Sequence, residues 1–321
     1  MLLKERVLKI VTLAGGVGGA KLVDGLAKIL SPEELSVIVN TGDDFEYLSL
    51  RISPDLDTVC YTLAGLANPD TGWGRAQETW QTFEEIGRIG GPDWFRLGDL
   101  DLATHLVRTT RLQAGETLSE ITVDLCQDWG VVHPVFPMSD DPVRTIVHTE
   151  TGEALGFQEY FVHQACQPVV RSFEFRGIEE AKPITKAVDA LAACDLVLFS
   201  PSNPWVSIDP ILAVPGLREL ISAKPVVVVS PLVGGKALKG PAAKMYQELG
   251  LTPNAFEVAR HYQDLITGFV FDLCDQEELE KIERCRIIPL VTDIVMKNKQ
   301  DRVRLAEEIL KFCGQILNRS R

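Results

Sequence analysis

The sequence predicts an α/β protein built on a Rossmann-like, doubly wound, mostly parallel sheet with an inserted, largely helical middle region. Three observations carry that expectation. The apolar run 7–13 reads as a buried strand; it leads into four glycines within five residues and then a helical pattern of Leu22, Leu26, Ile29 and Leu30. Short β-branched or apolar runs recur at 35–39, 196–199, 225–229 and 269–271, with helical patterns between them. Strands alternating with helices favour a parallel sheet. No linker, repeat or low-complexity run divides the chain, so one domain is expected over 1–321, with 69–165 as an inserted, capping region.

Composition narrows the chemistry. The chain has 321 residues, 45% of them apolar, which supports a sizeable core. Its net charge is −13, from 32 basic and 45 acidic residues. A general nucleic-acid binder needs a basic footprint, so that class is set aside, while a nucleotide ligand needs only a local site. Seven cysteines are scattered without a Cys-x-x-Cys pair, which argues against a disulfide framework or a zinc cluster. Reduced thiols in a cytoplasmic protein are expected. A signal-peptide cleavage pattern and a bilayer-length apolar run are both missing, so no membrane partner is expected.

The opening strand, glycine turn and helix place free backbone N–H groups and the positive end of a helix dipole at one point, which suits a phosphate. Glycine lets the backbone approach an anion and adopt positive φ. Gly16 and Gly18 fit the dinucleotide spacing Gly-x-Gly-x-x-Gly, but Lys21 stands where the third glycine belongs. The alternative is a tight turn with no ligand.

The second strand, 35–39, ends in Asn40-Thr41-Gly42-Asp43-Asp44. Ligands of open α/β sheets gather at strand carboxyl ends, so Asp43 and Asp44 are candidates for a metal or a ribose hydroxyl; a solvated turn is the plainer alternative. Pro54 precedes a helix expected to begin near 56–58, which puts Asp55 and Asp57 at a helix N-terminus, where one acid often serves only as a cap. Four acids on two adjacent loops beside a phosphate loop suggest Mg²⁺.

In the middle region, 69–74 is a turn, and Thr79, Trp80, Phe83, Ile86 and Ile89 give a helix face stopped at 90–93. Trp73, Trp80, Trp94 and Phe95 are a dense aromatic group that could cover a flat ring or simply pack. A helix from Asp99 carries His105, Arg108 and Arg111; Thr117 and Glu120 have capping-box spacing. Ser139, Asp140 and Asp141, on a turn after an apolar strand, form a further candidate ligand loop, and 145–149 with 159–162 could pair as a hairpin around Gly152.

The α/β pattern then resumes. A helix over 187–193 precedes the strand 196–199, which ends in Ser200-Pro201-Ser202-Asn203-Pro204. The strand 225–229 ends in a loop holding Gly234, Gly235, Lys236 and Lys239, whose lysines can neutralise phosphate. A strand at 269–271, a helix over 276–282, a short strand at 287–288 and an amphipathic helix over 300–316 close the chain. There is no Gly-x-Ser-x-Gly elbow and no metal-spaced histidine pair; the five histidines read as structural. The constellation suits a nucleotide or phosphate ester held with Mg²⁺, since phosphoryl transfer needs chiefly positioning and charge neutralisation.

Six blocks taken in order go further. Ala14-Gly15-Gly16-Val17-Gly18-Gly19-Ala20-Lys21, Asn40-Thr41-Gly42-Asp43-Asp44, Ser53-Pro54-Asp55-Leu56-Asp57-Thr58, the stretch from Leu97-Gly98-Asp99 to His105, Pro137-Met138-Ser139-Asp140-Asp141-Pro142 and Ser200-Pro201-Ser202-Asn203-Pro204 resemble the 2-phospho-L-lactate transferase family of coenzyme F(420) biosynthesis. The resemblance runs from the first strand to past Gly240. It implies a Rossmann-like, homodimeric, Mg²⁺-dependent enzyme. Such an enzyme moves a phospholactyl group, or in bacteria an enolpyruvyl counterpart, from a guanosine diphosphate-linked donor to the terminal ribityl hydroxyl of the deazaflavin Fo, and GMP leaves. It also implies that Asp57 and Arg96 contact Fo; relatives often carry Lys at position 96, so only the charge carries over.

The expected assignments are therefore Asp57 as catalytic residue, with Asp43, Asp44 and Asp57 at the metal. Gly15, Gly16, Gly18, Gly19, Lys21, Ser202, Asn203, Gly234 and Gly235 are expected at the nucleotide phosphates. A regulatory relative that binds a nucleotide sugar without catalysis is the closest rival. A nicotinamide-dependent oxidoreductase ranks last, because no acid–base pair supports it.

Overall fold

The computed structural model describes residues 8–237 and 239–319. Position 7, where the first strand was expected to begin, lies outside them; the strand runs Ile10–Ala14. It joins a seven-stranded sheet in the order Ile288–Thr292, Gly268–Asp272, Val226–Val229, Leu196–Phe199, Ile10–Ala14, Leu35–Val39 and Val135–Pro137. Every neighbouring pair is parallel.

The side-chain period of a strand explains the burial. Val11 and Leu13 join Ile38, Val197 and Phe199 in the core on one face, while Ile10 and Ala14 join Leu35, Val37, Val39, Leu196 and Leu198 on the other. Successive residues point to opposite faces, and both faces are covered, so the strands are largely apolar, with Thr12 and Ser36 as exceptions. The second face is covered by helices Gly16–Ala27, Pro54–Leu63, Leu118–Asp128 and Lys299–Arg319. Helices Thr185–Ala193, Leu217–Ser222, Ala255–His261 and Leu279–Arg284 cover the first. Gly25 allows the closing helix to cross the first one, because a Cβ there would lie 2.2 Å from the Arg302 carbonyl oxygen.

Counted along the chain, the sheet order is 3-2-1-4-5-6-7, and its direction reverses between Ile10–Ala14 and Leu196–Phe199. A crevice opens outside the carboxyl ends of the strands at such a reversal.

The middle of the chain differs from the expectation. Val135–Pro137 lies inside the span 69–165 yet pairs with Val37, Ile38 and Val39 in the central sheet. The span is therefore not one inserted body; separate pieces before and after that strand cover the crevice. The expected hairpin is also corrected. Arg144–Thr149 pairs with Ala154–Gly156 and with Val170–Arg176, whereas Glu159–His163 is a π-helical turn. Gly152, at φ 89°, makes the tighter turn and leaves 157–163 to fold over the crevice. The helix expected near 56–58 begins at Pro54, and the one expected over 276–282 is split into a 3-10 turn, Leu273–Glu278, and the helix Leu279–Arg284.

Candidate functional site

At the reversal point the first and fourth strands are joined by hydroxyl groups. Thr12 Oγ1 and Ser200 Oγ are 2.9 Å apart; Ser202 Oγ accepts from the Gly15 N–H at 3.1 Å and donates to the Gly15 carbonyl at 2.9 Å. The glycines are required by closeness. A Cβ on Gly18 would lie 2.5 Å from the Pro201 carbonyl oxygen, and one on Gly15 would lie 2.5 Å from Asp55 Oδ2. Gly15 precedes helix Gly16–Ala27 and has no side chain to cap it; the Asp55 carboxylate takes up the Gly16 N–H, and Val17 and Gly18 of the same first turn line the crevice at the positive end of the helix dipole.

This crevice is a cavity of about 850 Å³. Of the residues expected at the nucleotide phosphates, Gly15, Gly16, Gly18, Lys21, Ser202 and Asn203 line it. Gly19 does not; it packs behind the loop, where a Cβ would lie 2.7 Å from Ser202 Oγ and 3.3 Å from Ala14 Cβ. Gly234 and Gly235 are corrected too. They form the turn of a small hairpin, the Gly234 N–H is engaged by Asp275 Oδ2 at 3.0 Å, and Val233 lines the cavity instead. Lys239, beyond that hairpin, lines it as well and donates to the Thr71 carbonyl. Lys21 donates to the Met296 carbonyl at 3.0 Å; burial, then the charges of Arg302 and Lys239, hold its pKa below the usual lysine value.

The carboxylates divide in a way the sequence does not show. Asp43 and Asp55 share one amide: Asn40 Nδ2 donates to Asp43 Oδ1 at 3.1 Å and to Asp55 Oδ2 at 2.9 Å. Gln158 Nε2 donates to Asp43 Oδ2 at 2.9 Å. Both acids line the cavity and are buried. Burial, then the Asp55 and Asp44 charges, push the Asp43 carboxyl well up, and burial raises Asp55 to about 6. Asp44 does not line the cavity; Ser53 Oγ donates to it at 2.6 Å, and burial pushes it to about 7. Asp55, read from sequence as a possible cap, is thus the partner of Asp43, in place of Asp44.

Asp57 lines the cavity but already has a cationic partner. Both of its oxygens accept from Arg108, Oδ2 from Nη1 at 2.9 Å and Oδ1 from Nη2. Burial works to lower the Arg108 pKa, but the Asp57 charge and hydrogen bonds raise it above the ordinary value. His105 Nδ1 lies 3.3 Å from Arg108 Nη1, and Tyr61 Oη donates to Asp101 Oδ1 at 2.7 Å. Asp57, Asp101 and His105 come within 4.8 Å of one another, a metal-like spacing. Arg108 puts a permanent positive charge into that group, so the expectation of Asp57 as a metal ligand is not met by its surroundings.

The cap is aromatic, as expected, though not every candidate faces the ligand space. Trp73, Trp94, Phe95 and Arg96 line the cavity, as do Phe161 of the π-helical turn and Phe157 just before it. Trp94 stacks on His163 with ring centres 5.0 Å apart. Trp80 stays outside and instead carries the Arg96 guanidinium 4.3 Å above its ring. The loop 137–142 is structural: Asp140 accepts from Ser119 N and Oγ at 2.7 and 2.9 Å, and Ser139 Oγ donates to the Lys182 carbonyl at 2.7 Å. Sequence reasoning missed Asn40 and Gln158 as site residues; neither has a spacing that announces it, because each acts by reaching an acid on another segment.

A parallel sheet whose strand order reverses at a glycine loop and a buried carboxylate pair defines a protein of the Rossmann-like, doubly wound α/β class. The family model described as 2-phospho-L-lactate transferase CofD matches residues 10–310. A phosphoenolpyruvate transferase from Streptomyces griseus is 43% identical over 94% of this chain and 99% of its own length. A 2-phospho-L-lactate transferase from Methanosarcina acetivorans is 39% identical over 94% and 97%. A crystal structure of a upf0052 family protein from Bacillus halodurans superposes with a TM-score of 0.64 at 15% identity, covering 95% of this chain and 99% of that one, and supports the fold. The chain belongs to the 2-phospho-L-lactate transferase CofD family. No helix among the described residues is long and apolar enough to cross a membrane.

Proposed function

We propose that this protein is a coenzyme F(420) biosynthesis transferase that moves a phosphoenolpyruvyl or phospholactyl group from a guanosine diphosphate-linked donor to the ribityl hydroxyl of Fo. The observation that carries the reading is the cavity itself: a backbone-and-lysine end, an aromatic end, and the Asp43–Asp55 pair between residues of both. A diphosphate suits the first end and a flat deazaflavin the second. The 43% identical relative is named for phosphoenolpyruvate, which favours the enolpyruvyl donor over the lactyl one.

The chemistry follows from those parts. The acceptor's hydroxyl oxygen bonds to the phosphorus that bears the enolpyruvyl group, the P–O–P bond breaks, GMP leaves with the bonding pair, and the hydroxyl proton passes to the departing phosphate or to water. The glycine-loop N–H groups, Lys21 and Lys239 offset charge on the diphosphate. Asp43 and Asp55 are the two cavity carboxylates whose mutual repulsion a divalent cation would relieve, so they fit Mg²⁺, which when bound supplies positive charge to phosphate oxygens. Asp57 meets the acceptor's hydroxyl, Arg96 its polar edge, and the aromatic cap excludes water from the transfer.

Mixing the purified protein with Fo, Mg²⁺ and each guanosine-linked donor, and following GMP and the phosphodiester by mass, tests the reading. Product with the enolpyruvyl donor is expected. Absence of product from every donor, with no binding of Fo, would sink it and leave the regulatory nucleotide-sugar reading in its place.

A further inference from the structure

Beside Asp57 stands a row of buried polar groups for which the proposed reaction has no use so far; Tyr61, Asp101 and His105 of that row border the cavity, and Arg108 lies behind them. Asp101, His105 and Arg108 project from helix Asp99–Gln113 at spacings that share one face, and Tyr61 meets them from helix Pro54–Leu63. Their protons can be assigned from one fixed point. A guanidinium keeps all its N–H groups and accepts nothing. Arg108 Nη1, 3.3 Å from His105 Nδ1, therefore faces a lone pair, and a neutral imidazole here carries its proton on Nε2. Nε2 is 3.4 Å from Asp101 Oδ1, too poorly aligned for a full hydrogen bond, and Tyr61 Oη already donates to that oxygen. Tyr61, Asp101, His105 and Arg108 thus form an ordered row that ends on Asp57.

A carboxylate has about four lone-pair directions, and Arg108 occupies two of those on Asp57, one on each oxygen. The bidentate fork fixes the carboxylate plane, and Asp57 still borders the cavity. We infer that Arg108 and His105 are positioning residues for the acceptor substrate: they hold Asp57 in one orientation, so that its remaining lone pairs accept a hydrogen bond from the acceptor's hydroxyl. Asp57 then orients the attacking alcohol and leaves cation binding to Asp43 and Asp55. The inference rests on the transferase reading.

The test separates acceptor from donor. Arg108→Lys keeps the charge and loses the fork; His105→Gln disturbs the row while leaving the ion pair in place. Fo binding, guanosine diphosphate binding, steady-state constants for both substrates and thermal midpoints are measured for each. Arg108→Lys is expected to weaken Fo binding about 10- to 100-fold, the scale of a small misplacement of a substrate-orienting group, with guanosine diphosphate affinity within about twofold. His105→Gln moves the same way by a smaller factor. In Arg108→Ala, added guanidinium at millimolar concentration restores part of the lost Fo binding. Equal losses of Fo and guanosine diphosphate binding would show a merely structural ion pair and overturn the inference. A folded Arg108→Lys or His105→Gln variant with unchanged Fo affinity overturns it as well. Wild-type protein that binds guanosine diphosphate but not Fo overturns the acceptor reading and the inference together.

Discussion

The two ends of the cavity are built from different materials. At the glycine-loop end, backbone does the work: N–H groups in the first turn of a glycine-rich helix start, close approaches at Gly15 and Gly18, and a hydroxyl that ties the first strand's loop to the fourth's. At the cap end, side chains do it: stacked rings, a buried Arg108–Asp57 pair, and Gln158 reaching Asp43 from a distant segment. A backbone site tolerates few changes, because the strands fix it. A side-chain site can be retuned one residue at a time, which suits the end that recognises the more particular ligand.

The seam between the two ends should be the most sensitive place. Asp55→Asn leaves the shape and the Asn40 contact nearly intact but removes one carboxylate of the Asp43–Asp55 pair. Turnover is expected to fall roughly 10²- to 10³-fold, the range seen when one preorganised electrostatic group is lost, while the fold survives. Nearly normal turnover would break the assignment of Asp43 and Asp55 as the central pair.

The backbone end is tested by Gly18→Ala. Its Cβ would meet the Pro201 carbonyl oxygen at 2.5 Å, and a backbone atom cannot swing aside as a side chain would. A loss of about 1–3 kcal/mol in stability is expected from overpacking, with weaker guanosine diphosphate binding and little change in Fo binding. If Fo binding drops as much as nucleotide binding, the two ends are not separate.

This contrast also explains what could be read from the sequence. The parallel sheet, the glycine loop, the Thr117–Glu120 capping box and the loop at Ser202 are local patterns, and each is present where its pattern lies. The roles of the acids were not legible. Asp43, Asp44, Asp55 and Asp57 are four alike letters on two loops, and what separates them is the neighbour each meets: Asn40 and Gln158, Ser53, Asn40 again, and Arg108. Arg108 lies 51 positions from Asp57, and Gln158 lies 115 from Asp43; only the tertiary fold joins them. The same holds for 69–165: the apolar run before Ser139 reads as a strand, but nothing local shows that Val135–Pro137 pairs into the main sheet rather than within an insertion.

The acids also give a pH test of the seam. Burial raises Asp55 to about 6 and Asp44 to about 7, and pushes Asp43 well above its ordinary value of 3.8. The unfolded chain then releases these protons before the folded one does. Between about pH 4 and 7 the folded state binds more protons, so stability falls as pH rises through that window. With a chelator present, the thermal midpoint is expected to drop from pH 5 to pH 8; Mg²⁺ should reduce the drop, because a cation bound only by the folded state stabilises it. Identical curves with chelator and Mg²⁺ would separate the carboxylate pair from cation binding.

The smallest effect is expected at Gly235, and it is informative for that reason. Gly235 sits at φ 72°, and a Cβ there would lie 2.9 Å from the Pro253 carbonyl oxygen, so Gly235→Ala is strained. A left-handed alanine loses about 1–2 kcal/mol, and the hairpin turn should register that in thermal stability. Guanosine diphosphate affinity should stay within about twofold, since the neighbouring Gly234 N–H is already bound to Asp275 and neither glycine lines the cavity. Lys239, a few residues on, does line it, so Lys239→Ala is the natural companion and should weaken nucleotide binding without the loss in stability. If the two variants instead trade effects, the phosphate end extends over the hairpin turn, and the boundary between backbone-built and side-chain-built recognition must be redrawn there.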